Sequence, residues 1–121
     1  MYSVKKIDDT AIITLGSSVE RGSKEDIDAL KNQCRELQNE GIRNIILNMQ
    51  EVENAPSIVL GTIIVLQKRM RASEGDVAIL NPTNRLVRIL EITKMDKIIG
   101  VYNSEETALD SVKAGERTST V

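Results

Sequence analysis

The sequence predicts an α/β fold: a mixed four- to five-stranded sheet, mostly parallel with an antiparallel edge strand, flanked by about four helices. Two observations carry this. Short apolar runs alternate with stretches of helical period along most of the chain, which implies right-handed crossovers between parallel strands. Only the first two runs are separated by a short turn, so only they should pair antiparallel.

Residues 2–6 and 10–15 read as these two strands, turning at Asp8-Asp9, and Gly16-Ser17-Ser18 then breaks the pattern. Ser23, with Asp26 in the third position after it, resembles a helix N-cap pair. The helix it opens carries Ile27, Leu30, Cys34 and Leu37 on one stripe, and Gly41 stands where a C-terminal cap belongs. Residues 42–49 (IRNIILNM) form a short strand buried on both faces. Residues 51–56 are polar and irregular, and 57–72 make the most apolar helix, closed by Gly75. Residues 76–80 (DVAIL) are a second buried strand, and Pro82 and Thr83 start a helix through Leu86, Ile89 and Leu90 to Ile92. Residues 97–102 are the last strand; Ser104, with Glu106 and Thr107, opens a final helix through Leu109 to Val112. A single domain over 1–113 follows, with 114–121 as a solvated tail.

Composition narrows the function. The 121 residues suit one hydrophobic core, which two Tyr, no Phe and no Trp leave to be built from Ile, Leu, Val and Met. A formal charge of −2 gives no electrostatic reason to expect nucleic acid. The lone Cys34 excludes an internal disulfide and suits a reducing compartment. Neither a leader nor an apolar run of membrane-spanning length is visible, so the expected address is the cytoplasm, with no membrane association. There is no His, which removes the commonest general base and zinc ligand, and no Gly-rich phosphate loop. The reading is of a binding protein with no catalytic residues, no cofactor and no metal.

Three stretches carry a family resemblance. Ile45 to Met49 lead through Val52 to Ser57 and Gly61; Gly75-Asp76-Val77-Ala78-Ile79-Leu80 form a small-residue helix end and strand; Asn81-Pro82 precede Leu86 to Leu90 and then Glu91 to Ile99. Val19-Glu20 fall where the same family has a hydrophobic residue and Asp. Over residues 4–112 this order is similar to the STAS domain family, the anti-sigma-factor antagonists and their stress-scaffold relatives. The resemblance implies a regulatory module that binds an anti-sigma factor, a switch serine kinase or a stress-scaffold protein, with phosphorylation of one Ser as its off switch. Ser57 matches that phosphoacceptor, and Leu60 and Gly61 match the end of the same loop motif. Pro56, Ile58 and Val59 replace the motif's Asp, second hydroxyl and Gly. The partner surface it implies comprises Glu53, Asn54, Ala55, Pro56, Ser57, Ile58 and Val59. Nothing in the sequence opposes a homodimer.

The residues themselves leave alternatives open. Ser57 either starts a helix after a proline or takes a phosphate, which the unpaired N–H groups and helix dipole would favour and which would add charge beside Glu51 and Glu53. Its helix is either wholly buried or exposes one flank, Val59 and Ile63, as a contact patch. Cys34 reads as core; Lys68, Arg69 and Arg71 as a solvated helix end; Arg85 and Arg88 as an exposed helix face that could serve a partner. Two further functions remain: an interaction module that is never phosphorylated, and a small-ligand or lipid-binding domain with an apolar pocket between helices.

Overall fold

The computed structural model describes residues 3–113. Five strands form one sheet in the order β1-β2-β3-β4-β5, namely Ser3–Ile7, Thr10–Thr14, Asn44–Asn48, Asp76–Leu80 and Gly100–Tyr102. β1 and β2 are antiparallel, with Ile7 opposite Thr10; every later pair is parallel. Four α-helices follow the crossovers: α1 (Lys24–Asn39), α2 (Ser57–Ala72), α3 (Asn84–Ile92) and α4 (Glu105–Lys113). This is the expected mixed sheet with its antiparallel edge.

The pleat explains the layering. Ile13, Ile45, Leu47, Val77 and Ile79 point to one face, where α1, α2 and α3 cover them with Leu30, Leu37, Val59, Ile63, Leu66, Met70, Leu86 and Leu90. Ile12, Ile46, Ala78 and Leu80 alternate to the other face, where α4 places Ala108 and Val112. β3 and β4 therefore read as nearly continuous apolar runs because both of their faces are covered. Each fully buried Ile or Leu contributes about 1.5–3 kcal/mol, so the number of aliphatics replaces the missing large aromatics.

Local signals fix the helix starts. The Ser23 hydroxyl accepts the Asp26 N–H at 3.2 Å, the Thr83 hydroxyl accepts that of Leu86 at 3.2 Å, and Ser104 does the same for Thr107 at 3.2 Å. The stripe of α1 is buried as its spacing requires. Cys34 lies within it, and burial pushes its thiol up from 9.0 to about 11 against a smaller opposing pull from Arg69.

Four expectations need correction. Gly16 to Ser18 is not a plain break: Ser17–Arg21 wind into a 3-10 turn that buries Val19. The last strand is shorter than 97–102. Lys94 turns left-handed (φ 63°), Met95–Lys97 close a second 3-10 turn, and Gln67 donates to the Ile98 carbonyl at 2.9 Å, so extension begins only at Gly100. Neither description of α2 holds. Val59 and Ile63 are fully buried, while Ile58 (55% exposed) and Val65 (45%) face solvent on the opposite side. The end of α2 is not simply solvated, because Arg71 pairs with the buried Asp76 at 3.1 Å. Tyr2 and the tail expected over 114–121 lie outside the described residues.

Candidate protein-contact site

The loops at the C-terminal ends of the parallel strands gather the candidate residues. β3 ends at Asn48, whose side chain bridges inward to Thr14 at 3.4 Å and outward to the Gln50 N–H at 3.3 Å. The chain then crosses to α2 through residues 50–56, and two buried side chains, Val52 and Ala55, pin this loop to the core. Two polar contacts hold it from either side. The Glu20 carboxylate accepts the Glu53 N–H at 2.7 Å, and the Thr83 hydroxyl donates to the Val52 carbonyl at 3.2 Å. The loop is thus fixed to the 3-10 turn before α1 and to the cap of α3.

Pro56 is the N-cap of α2, with extended backbone (φ −61°, ψ 160°) and no side-chain cap. Its carbonyl accepts the N–H groups of Val59 and Leu60, at 2.9 and 3.1 Å, which leaves the Ser57 and Ile58 N–H groups at the open helix end. Ser57 is the first helical residue and is exposed, and no acidic residue occupies the first turn. Ile58 lies beside it, against Gly22. That glycine is left-handed (φ 62°), and a Cβ on it would sit 2.7 Å from the Ile58 Cγ2. Gly22 therefore lets the turn before α1 approach the Pro56-Ser57-Ile58 corner closely.

Of the seven residues expected to meet a partner, Glu53, Asn54, Ser57 and Ile58 are exposed and Pro56 is half-buried, all on one corner. Val59 is 0% exposed and Ala55 9%, so they support the corner from below rather than forming its surface. Val59 points inward because α2 turns its Val59, Ile63 and Met70 face to the sheet, and Ala55 packs into the same core from the loop. Glu20, which falls where the family has Asp, has a definite task, holding the loop backbone, that the resemblance alone does not assign. Thr83 was legible only as a cap, and its second bond to Val52 appears only in three dimensions. The apolar void beside α1, between Leu15, Val19 and Leu30, is about 70 Å³. That is well below the roughly 300 Å³ of a typical small-molecule pocket. Among the described residues no cluster of three or more His, Cys, Asp or Glu could hold a metal. No helix among them is long and apolar enough to cross a membrane.

A five-stranded mixed sheet with three helices on one face and one on the other is the architecture of the STAS fold. The STAS domain family model matches residues 1–108, and the chain belongs to that family. It is similar to a Thermotoga neapolitana homolog of TM1081, provisionally named an anti-sigma factor antagonist. The two are 33% identical over 64% of this chain and 69% of that one. The NMR structure of TM1081 superposes with a TM-score of 0.83 at 27% identity, covering 93% of this chain and 89% of that one. The unphosphorylated form of the anti-sigma factor antagonist SpoIIAA shares the fold, with a TM-score of 0.77 at 15% identity over 94% of this chain and 97% of that one.

Proposed function

We propose that this protein is an anti-sigma-factor antagonist-like regulator. It captures an anti-sigma factor or partner serine kinase on the corner formed by Glu53, Asn54, Pro56, Ser57 and Ile58, and phosphorylation of Ser57 releases that partner. The observation that carries this reading is the placement of Ser57. It is the first residue of α2, exposed, beside an exposed isoleucine, on a loop held rigid by Glu20 and Thr83. A rigid apolar spot with a hydroxyl at its edge can be covered by a partner while neutral. A phosphate there would take the Ser57 and Ile58 N–H groups and the helix dipole as its stabilising contacts. It would also set nearly two negative charges beside Ile58, Glu53 and Glu20, opposing a dry contact by desolvation and repulsion. The mechanism is competitive capture: the partner bound here is withheld from its sigma factor, in the cytoplasm, and the partner kinase supplies the ATP.

A second reading is supported by Pro56 and Ile58, which stand where the family motif has Asp and a hydroxyl. In that reading the corner binds a stress-scaffold protein through Ile58 and is never modified. Incubation of the purified chain with the partner kinase and ATP, followed by phosphopeptide mapping, separates the two. Stoichiometric phosphate on Ser57 supports the switch; an active kinase that leaves Ser57 unmodified supports the scaffold.

A further inference from the structure

Beside the Ser57 corner an open groove of about 630 Å³ runs between Asn54 and one ridge of α3. Asn84, Arg85, Arg88, Ile89 and Ile92 line it, the polar residues nearer the start of α3 and the two isoleucines nearer its end. The spacing of Arg85, Arg88, Ile89 and Ile92 puts all four on one side of the helix, spread over about 10 Å of its length. Ile92 is the most exposed large aliphatic among the described residues, at 73%. Arg85 and Arg88 are both exposed, and neither forms an ion pair among the described residues. No acidic side chain lines the groove, and α3 has none in its first turn. The positive end of the helix and two free guanidinium groups therefore fall at one end of an otherwise apolar trough.

We propose that this groove is a second docking surface, which receives an acidic-then-apolar segment of a protein partner. Carboxylates would lie over Asn84, Arg85 and Arg88, and an aliphatic side chain over Ile89 and Ile92. The polarity follows from the residues: guanidinium forks pair with carboxylates, and the dipole favours anions at the same end. Ile89 and Ile92 together give the far end an apolar floor that an aliphatic side chain would cover. Two arginines and an apolar floor without aromatics make a poor track for nucleic acid, which needs phosphate spacing and stacking rings. The trough is open along its length, so an acyl chain lying in it would keep one side in water. The proposal extends the capture reading and rests on it for the identity of the partner, but its chemistry is independent of Ser57.

The test uses the full chain and a fluorescein-labelled helical peptide with paired Glu followed one turn later by paired Leu. The controls are the same peptide with Lys for Glu, and sodium dodecanoate. The acidic peptide should bind and the Lys peptide should not, and binding should weaken as salt is raised. Arg85→Glu with Arg88→Glu should cost about tenfold or more in affinity, and Ile92→Ser about fivefold. Ser57→Asp should leave peptide affinity within about twofold, because Ser57 does not line the groove. Circular dichroism melting confirms that each variant is folded. The proposal is overturned if the two peptides bind equally, if neither binds, or if dodecanoate alone binds and loses affinity in the arginine variant. A partner whose capture depends on Ser57 but tolerates the arginine changes would also overturn it, while leaving the capture reading in place.

Discussion

At the N-terminal ends of the parallel strands, Thr10, Asn44 and Asp76 stand side by side in register and bond to one another. At the C-terminal ends the connecting loops present Glu53, Asn54, Ser57 and Ile58 to water. At the first end the strand side chains are satisfied within the chain. Asn44 donates to the Thr10 hydroxyl at 3.4 Å and accepts the Asp76 N–H at 3.0 Å, and the Asp76 carboxylate takes the Val77 N–H and Arg71 at 2.8 and 3.1 Å. Buried polar groups satisfied in this way specify strand register. The second end keeps its backbone equally well held, through Glu20 and Thr83, but turns its side chains outward. Both ends have their backbone held by hydrogen bonds; what differs is whether the side chains have found partners within the chain. That difference is what the proposed capture surface at the C-terminal end rests on.

Substitutions at the first end should act on stability. The largest effect is expected at Gly75, where a Cβ would sit 1.7 Å from the Arg43 carbonyl oxygen. Gly75→Ala must push the start of β4 away from β3, and chemical denaturation should show a loss of about 3 kcal/mol or more. Next comes Asp76→Ala, which strips the acceptor from Arg71 and from the Val77 N–H. It should cost about 2–4 kcal/mol with partner affinity unchanged once the variant is folded.

Cys34 gives a pH-dependent test. Its thiol titrates near 9.0 when exposed and near 11 in the core, so between those values the unfolded chain has released a proton that the folded chain retains. Stability from this group is therefore intact below pH 9 and falls as pH rises toward 11, by about 2–3 kcal/mol relative to Cys34→Ala over that window. Paired denaturation curves at pH 8 and pH 10.5 would check it; parallel behaviour of the two proteins would contradict the burial account. The smallest effect is at the exposed face of α2. A Cβ at Gly61 meets nothing within 4 Å, so Gly61→Ala should stabilise the chain by about 0.5–1 kcal/mol, read from the melting temperature. If the same change weakens partner capture, the contact surface continues from Ile58 along this face.

Much of this contrast was legible in the sequence. Alternating apolar runs gave β3 and β4, and helix caps at Ser23, Thr83 and Ser104 located three helix starts, because such signals act over one turn. The orientation of α2 was not legible. With apolar residues almost all round, periodicity cannot select the buried side, and it is Ile58 and Val65, not Val59 and Ile63, that face water. Its neighbours decide, since the sheet takes Val59 and Ile63 while Gly22 leaves room for Ile58. The late start of β5 escaped for a similar reason: Gln67, distant in sequence, captures the Ile98 carbonyl. Ser57 was found through the family motif, whereas the contacts that hold its loop, Glu20 to Glu53 and Thr83 to Val52, join segments more than thirty residues apart.

The most direct test of the Ser57 corner is the affinity of the partner, purified from the source organism, for wild type, Ser57→Ala and Ser57→Asp, measured by isothermal titration calorimetry. Ser57 makes no cap, so both variants should melt within about 1 kcal/mol of wild type, the Asp favoured slightly by the helix dipole. The account predicts that Ser57→Ala binds within about twofold of wild type. Ser57→Asp, with one charge rather than nearly two, should lose about five- to tenfold. Equal affinity for all three folded proteins would contradict it, and would leave Ser57 as nothing more than the first residue of α2.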